Sequence, residues 1–84
     1  MIEEIIKTDC VIVVDLKSIM KQRKKSVYEL SKETGIRYHI VKKYYKNDVY
    51  RVDLEILEKF CSALNCEPYD IIKRKKLNEK NLIN

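Results

Sequence analysis

The only glycine of the chain, Gly35, constrains the fold more than any other residue, because it lies between two short helical patterns. The first pattern begins with Ser26-Val-Tyr-Glu29, a capping box in which each of the two end side chains accepts a hydrogen bond from the backbone N–H of the other residue. Leu30 is the inward residue of this helix. We expect the helix to end at Gly35, since glycine adopts the left-handed conformation that closes a helix without steric cost.

The apolar pattern restarts at Ile36, directly after the glycine. It predicts a second, basic helix from about residue 37 to residue 46, with Val41 and Tyr44 toward the core. Two further positions fit either the core side or the surface: Ile40 and Tyr45. The two helices around Gly35 are therefore short and close together in the chain.

Further elements are predicted on both sides of this pair. The β-branched run Cys10–Val14 reads as one short strand. Asp15 is a plausible N-cap for a first helix that ends near Lys24, and Asp53 has the same role for a helix after the pair. The apolar residues of that later helix fall in register: Leu54, Leu57, Cys61 and Leu64, with Ile56 and Phe60 alongside.

The end of the chain is expected to hold a short fifth helix, from Pro68 to about Ile72, and then an exposed, frayed run, Lys73–Lys76. With one glycine and one proline in 84 residues, tight turns are few, which disfavours a many-stranded β fold. The predicted fold class is all-α: five helices and a short N-terminal β-strand. The chain is expected to form one domain over residues 1–84, with an ordered core at about 11–73 and a frayed tail at 74–84. The strand has two possible partners, residues 71–75 of its own chain or of a second copy.

The positive charge of the chain is concentrated in its middle. Residues 17–51 contain eleven Lys and Arg against three acidic residues, a balance of +8. The remaining residues contain seven basic against ten acidic side chains, a balance of −3. A basic middle between acidic flanks is typical of a surface that binds a polyanion, provided that the bases share one face.

Composition argues against several other classes of protein. The three cysteines form no CxxC pair, and the chain contains only one histidine. Neither a metal site nor a disulfide framework is therefore expected. Cys61 and Cys66 read as small core residues. No cofactor and no small-molecule effector is indicated, and the chain lacks the nucleophile–base constellation and glycine-rich loop of an enzyme. No signal peptide or membrane span is visible, which predicts a cytoplasmic protein.

The spacing around Gly35 forms a helix-turn-helix, in which the second helix projects and can enter the major groove of DNA. Ser31 supplies the small side chain needed where the second helix crosses the first, and Ile36 attaches the turn to the core. The segment Leu30-Ser-Lys-Glu-Thr-Gly-Ile36, followed by Val41 and Tyr44, resembles the helix-turn-helix of the Cro/CI-type (XRE-like) regulators. The segments 14–20 and 52–72 resemble the outer helices of a compact subgroup of this family, which begins with a short strand. The resemblance implies a λ-repressor-like fold and a sequence-specific regulator of transcription, expected to be a repressor.

The resemblance also implies roles for individual residues of the second helix. Three side chains fall where such regulators read base edges: Tyr38, His39 and Lys43. Four more fall where the DNA backbone is contacted: Arg37, Lys42, Lys46 and Arg51. Arg37 takes the place of the usual Ser or Thr cap, and Val27 stands where the family often has a phosphate-binding Gln.

Two functions remain open on the sequence alone. The first is a homodimeric regulator that binds a pseudo-palindromic site in double-stranded DNA. The second is a protein-interaction module of the same fold, such as an antitoxin or an accessory regulator. The N-terminal stretch, with Ile2, Ile5 and Ile6 on one helical face, would suit the second function.

Overall fold

The computed structural model describes residues 9–76 of the chain. Two parts of the sequence predictions lie outside these residues: the apolar positions Ile2, Ile5 and Ile6, and the tail from residue 77 onward. Within residues 9–76 the chain forms four α-helices and one two-stranded sheet. In chain order the elements are β1 (Cys10–Val14), α1 (Leu16–Arg23), α2 (Val27–Thr34), α3 (Tyr38–Tyr45), α4 (Leu54–Leu64), a 3₁₀ turn (Pro68–Asp70) and β2 (Ile72–Lys76). None of the helices in this range is long and apolar enough to cross a membrane.

The helix ends form as their capping residues predict. Asp15 accepts a hydrogen bond from the backbone N–H of Ser18 at the start of α1. Both hydrogen bonds of the Ser26–Glu29 capping box are present at the start of α2. Gly35 closes α2 with a φ of 78°, in the left-handed region that favours glycine. These contacts are local, which explains why the sequence alone identifies them.

One core holds the four helices and the sheet together. Its largest fully buried side chains come from every helix and from the segment before β2: Leu16, Met20, Leu30, Val41, Phe60, Leu64 and Ile71. Cys61 is buried and Cys66 packs against the core half-buried, so their interpretation as small core residues is confirmed. Arg23 also has a structural role, since its guanidinium donates to the carbonyls of Leu64 and Asn65 at the end of α4, at 2.8 and 3.1 Å.

The prediction of a frayed run at Lys73–Lys76 is wrong. These residues belong to β2, which pairs antiparallel with β1 of the same chain, so that Cys10 lies opposite Lys76 and Val14 opposite Ile72. Residues 71–75 of the same chain were one of the two partners considered for the predicted strand, and this alternative is the one found. The run Lys73–Lys76 is not predicted as a strand by its own pattern, because four consecutive cations carry no apolar alternation. Pairing with β1 supplies the hydrogen bonds that the local sequence does not predict. The strand predicted at Cys10–Val14 is confirmed.

The predicted fifth helix is a single 3₁₀ turn, Pro68–Asp70. The carboxylate of Asp70 accepts a hydrogen bond from the backbone N–H of Glu67, 2.9 Å away, and closes this turn on itself. Ile71 is fully buried directly afterwards, and its carbonyl accepts a hydrogen bond from the N–H of Asp15. Strand β2 begins at the next residue, Ile72, which leaves no length for a helix.

The prediction that Leu54 lies in register with the core residues of α4 is wrong, because its side chain is 78% exposed. Leu54 is the first residue of α4, and the buried residues of this helix are Phe60, Cys61 and Leu64, all in its second half. The first residue of α4 therefore lies beyond the core, whereas Ile56 and Leu57 in the same turn pack against it. Periodicity gives the direction in which a side chain points along a helix, but not where the neighbouring elements end.

Candidate nucleic-acid interface

The turn between α2 and α3 is fixed by side-chain hydrogen bonds as well as by Gly35. The hydroxyl of Ser31 donates to the carbonyl of Ile36 over 2.6 Å. The hydroxyl of Thr34 donates to the carbonyl of Leu30 and accepts from the N–H of Ile36, at 2.7 and 3.2 Å. Ser31 therefore does more than leave space at the crossing: it satisfies a half-buried carbonyl of the turn. These bonds set the direction in which α3 leaves α2.

Helix α3 has one side held firmly in the core. Val41 and Tyr44 are buried, as predicted. The ring of Tyr44 packs edge-on against Phe60, with centroids 5.2 Å apart, and its hydroxyl accepts a hydrogen bond from the N–H of Asp53. Tyr44 thus joins α3 to both the core and the start of α4. Ile40 and Tyr45, which the sequence left open, are half-buried against the core.

The predicted base-reading residues are all at solvent-exposed positions of α3. Tyr38 is 47% exposed, and His39 and Lys43 are also exposed. His39 and Lys43 are four residues apart, so they share one helical face. Tyr38 pairs instead with half-buried Lys42, whose ammonium lies 5.7 Å from the centroid of the ring.

The predicted backbone contacts surround this face. Arg37 is exposed at the start of α3, where no side chain caps the helix, so the first backbone N–H groups of α3 lack a side-chain acceptor. Lys46 is exposed at the other end of the helix. Arg51 belongs to the connection after α3, yet it lines the same shallow concavity as Lys43. The fold therefore brings six of the seven predicted residues to α3 and its immediate ends, and Arg51 beside them.

Not every base of the positive window is available at this surface. Arg23 binds the last carbonyls of α4, and Lys25 forms an ion pair with Glu33 of α2. Val27, in the place of the usual Gln, is half-buried against the core and offers no polar group. The tertiary structure thus separates the positive residues that are engaged within the fold from those on the exposed side of α3, which charge counting does not do.

Several exposed side chains near this surface were missed by sequence reasoning. Tyr50 is 99% exposed in the connection after α3, and Tyr28 is 60% exposed in the first turn of α2 with the ammonium of Lys32 over its ring. Lys17 and Lys75 were counted only as charges, although both lie in one concavity with Lys46. Tyrosines fit a core or a surface equally well by pattern, and the position of Lys75 depends on a strand pairing across the whole chain.

The thiol of Cys61 is the most strongly perturbed ionisable group among residues 9–76. Burial, with the neighbouring Cys66, raises the pKa of the Cys61 thiol to about 11, which keeps it protonated and unreactive at neutral pH. Among residues 9–76, no three His, Cys, Asp or Glu side chains are close enough together to hold a metal ion.

The basic helix α3 is exposed on one side, and a glycine turn and a serine hydrogen bond hold it against α2. This arrangement defines a helix-turn-helix nucleic-acid-binding domain. The family model of the Cro/C1-type helix-turn-helix DNA-binding domain matches residues 15–76, and the chain belongs to this family. The resemblance found in the sequence is thereby confirmed.

Two solved structures have the same fold. One is a protein from Bacteroides fragilis that is thought to bind DNA: it is 17% identical, with a TM-score of 0.67 over 75% of this chain and all of that chain. The other is the transcriptional regulator VanUg, 25% identical, with a TM-score of 0.65 over 88% of this chain and 97% of that chain. No curated protein sequence matches the chain.

Proposed function

We propose that this protein is a sequence-specific, double-stranded-DNA-binding regulator of transcription, acting as a repressor, which reads the major groove with α3. The observation that carries the proposal is the two-sided character of this helix. Val41 and Tyr44 fix one side in the core, while the other side presents a histidine and cations to solvent. A helix held in this way keeps a constant orientation when its exposed side enters a groove, and this reduces the entropy cost of binding.

The base-reading residues in this proposal are Tyr38, His39 and Lys43. Lysine donates to the O6 and N7 acceptors of guanine, and histidine donates or accepts according to its tautomer. The ring of Tyr38 lies under the ammonium of Lys42, which limits the positions that both side chains adopt. Such ordering favours discrimination between bases, since less freedom is lost on binding.

The phosphate contacts in this proposal are Arg37, Lys42, Lys46 and Arg51. Arg37 stands beside uncapped N–H groups at the positive end of the α3 dipole, where an anion is favoured. Contacts of this kind fix the register of the protein on the duplex without reading sequence. They make affinity fall steeply as salt rises.

We further propose a cytoplasmic homodimer on a two-fold-related site, because one recognition helix reads too few base pairs to select a unique site. The half-sites should then lie about one helical turn, ~10 base pairs, apart or a multiple of that spacing. The role is binding alone, without catalysis.

The test is selection of bound fragments from a random duplex pool, followed by salt titration on the selected site. Lys43→Ala should relax the preference at one base position. The binding free energy for the site with the preferred base should fall by about 1–3 kcal/mol. Lys46→Ala, at a proposed phosphate contact outside the Tyr38–Lys42 pair, should weaken all sequences alike and lower the salt slope by about 1. Lys59→Ala, which removes an exposed cation from α4, is the matched control and should do neither. Failure of the wild-type protein to bind any duplex at low salt would refute the proposal.

A further inference from the structure

A concavity of about 300 Å³ lies beside the end of α3, away from the residues proposed to read bases. Its lining includes three lysines from three different elements: Lys17 of α1, Lys46 after α3 and Lys75 of β2. The ring of Tyr45 forms part of the wall, and the ammonium of Lys17 lies 5.3 Å from its centroid. We call this feature the three-lysine concavity.

The three ammonium groups have no carboxylate to neutralise them within the described part of the chain. The only acidic residue in the lining is Asp15, and its carboxylate is engaged by Lys73, 3.4 Å away, and by the N–H of Ser18. Burial opposes ionisation of Asp15, but these hydrogen bonds outweigh it and lower the pKa of the carboxyl below its ordinary value. Asp15 is therefore ionised and already paired with Lys73, so the three lysines remain an excess of positive charge.

The backbone that carries these lysines is tied together. The side-chain oxygen of Asn47 accepts a hydrogen bond from the N–H of Val14, 2.8 Å away, and so attaches β1 to the end of α3. Asn47 itself has a φ of 60°, a left-handed conformation that asparagine tolerates. In the sheet, Lys75 lies opposite Val11. The backbone positions of the lysines relative to one another are thus set before any ligand binds, which lowers the cost of placing an anion among them.

We propose that the three-lysine concavity binds a phosphate group of the DNA backbone, so that the duplex contact extends from α3 onto α1 and the β-sheet. This inference rests on the proposed function, since the phosphate would belong to DNA next to the groove that α3 enters. Lys46 belongs to both surfaces and is exposed one turn beyond Lys42 and Lys43. A phosphate in the concavity contacts no base edge, so it adds affinity and salt dependence but no base preference.

The test compares two double variants on the selected duplex and on a scrambled duplex. Lys17→Gln with Lys75→Gln removes two charges from the concavity and leaves polar side chains that are one atom shorter. Lys21→Gln with Lys59→Gln removes two exposed charges elsewhere and is the matched control. If the proposal is correct, the first variant loses affinity by the same factor on both duplexes, and its slope of log K against log salt is shallower by about 1, the share of one phosphate contact. The control keeps the wild-type slope.

A single charge reversal, Lys75→Glu, provides a second measurement. It should weaken both duplexes more than Lys75→Gln does, while thermal unfolding monitored by circular dichroism confirms that each variant is folded. If the Lys17/Lys75 variant behaves like the control while wild-type protein binds with base preference, this inference is wrong and the proposed function stands. If wild-type protein binds no duplex, the proposed function itself fails.

Discussion

Replacing Ser31 with alanine separates two explanations for a small residue at the helix crossing. If only size matters, alanine serves as well as serine. In the structure, however, the hydroxyl of Ser31 donates to the half-buried carbonyl of Ile36 over 2.6 Å. Without that donor the carbonyl loses its side-chain partner, and we expect a loss of about 1 kcal/mol in the free energy of unfolding.

Alanine also has a higher helix propensity than serine, by at most about 0.7 kcal/mol, and this gain partly masks the lost hydrogen bond. Ser62→Ala is therefore the matched control. Ser62 lies on the exposed side of α4, where its hydroxyl donates only to the solvent-exposed carboxylate of Glu58. Both variants gain the same propensity, so the difference between them measures the hydrogen bond of Ser31.

The assay is urea unfolding followed by far-UV circular dichroism, with both variants and the wild type at one protein concentration. Ser31→Ala should be less stable than Ser62→Ala by about 1 kcal/mol, which corresponds to roughly 4–8 °C in Tm for a domain of this size. Equal stability of the two variants would refute the reasoning and leave side-chain size as the sole requirement at position 31.

Three further results are expected. Asn47→Ala should destabilise the fold more than Asn47→Gly, by about 1 kcal/mol in urea unfolding, because both lose the hydrogen bond to Val14 but only alanine strains the left-handed backbone; equal losses would contradict this. Leu54→Ala should change stability by less than about 0.5 kcal/mol, whereas Phe60→Ala should cost about 3–5 kcal/mol, and a large loss at Leu54 would mean that it is covered in solution. Since burial raises the pKa of Cys61 to about 11, its alkylation by iodoacetamide at pH 8, followed by mass spectrometry, should be slow in native protein and fast in denaturant; rapid native labelling would contradict the burial.

The candidate site was predictable where its residues are neighbours in the chain. The α3 positions Tyr38, His39 and Lys43 follow from their distance to Gly35, and all three side chains are exposed in the structure. Their proposed contacts with bases remain predictions. By contrast, the three-lysine concavity joins residues 17, 46 and 75, and no local pattern relates positions so far apart.

The sequence by itself determined the helix ends and the helix-turn-helix. The capping box of Ser26 and Glu29, the left-handed stop at Gly35 and the N-caps Asp15 and Asp53 each depend on residues within one helical turn. Local hydrogen bonds and local steric limits are sufficient to fix such features.

Only the tertiary structure decided what depends on distant partners. Pairing with β1 makes a strand of Lys73–Lys76, and the extended path of the chain to β1 reduces the fifth helix to one turn. The first residue of α4, Leu54, lies in solvent beyond the core, and the guanidinium of Arg23 is held by backbone carbonyls at the end of α4. In each case the deciding partner lies far away along the chain, so packing and long-range hydrogen bonds outweigh the local preference.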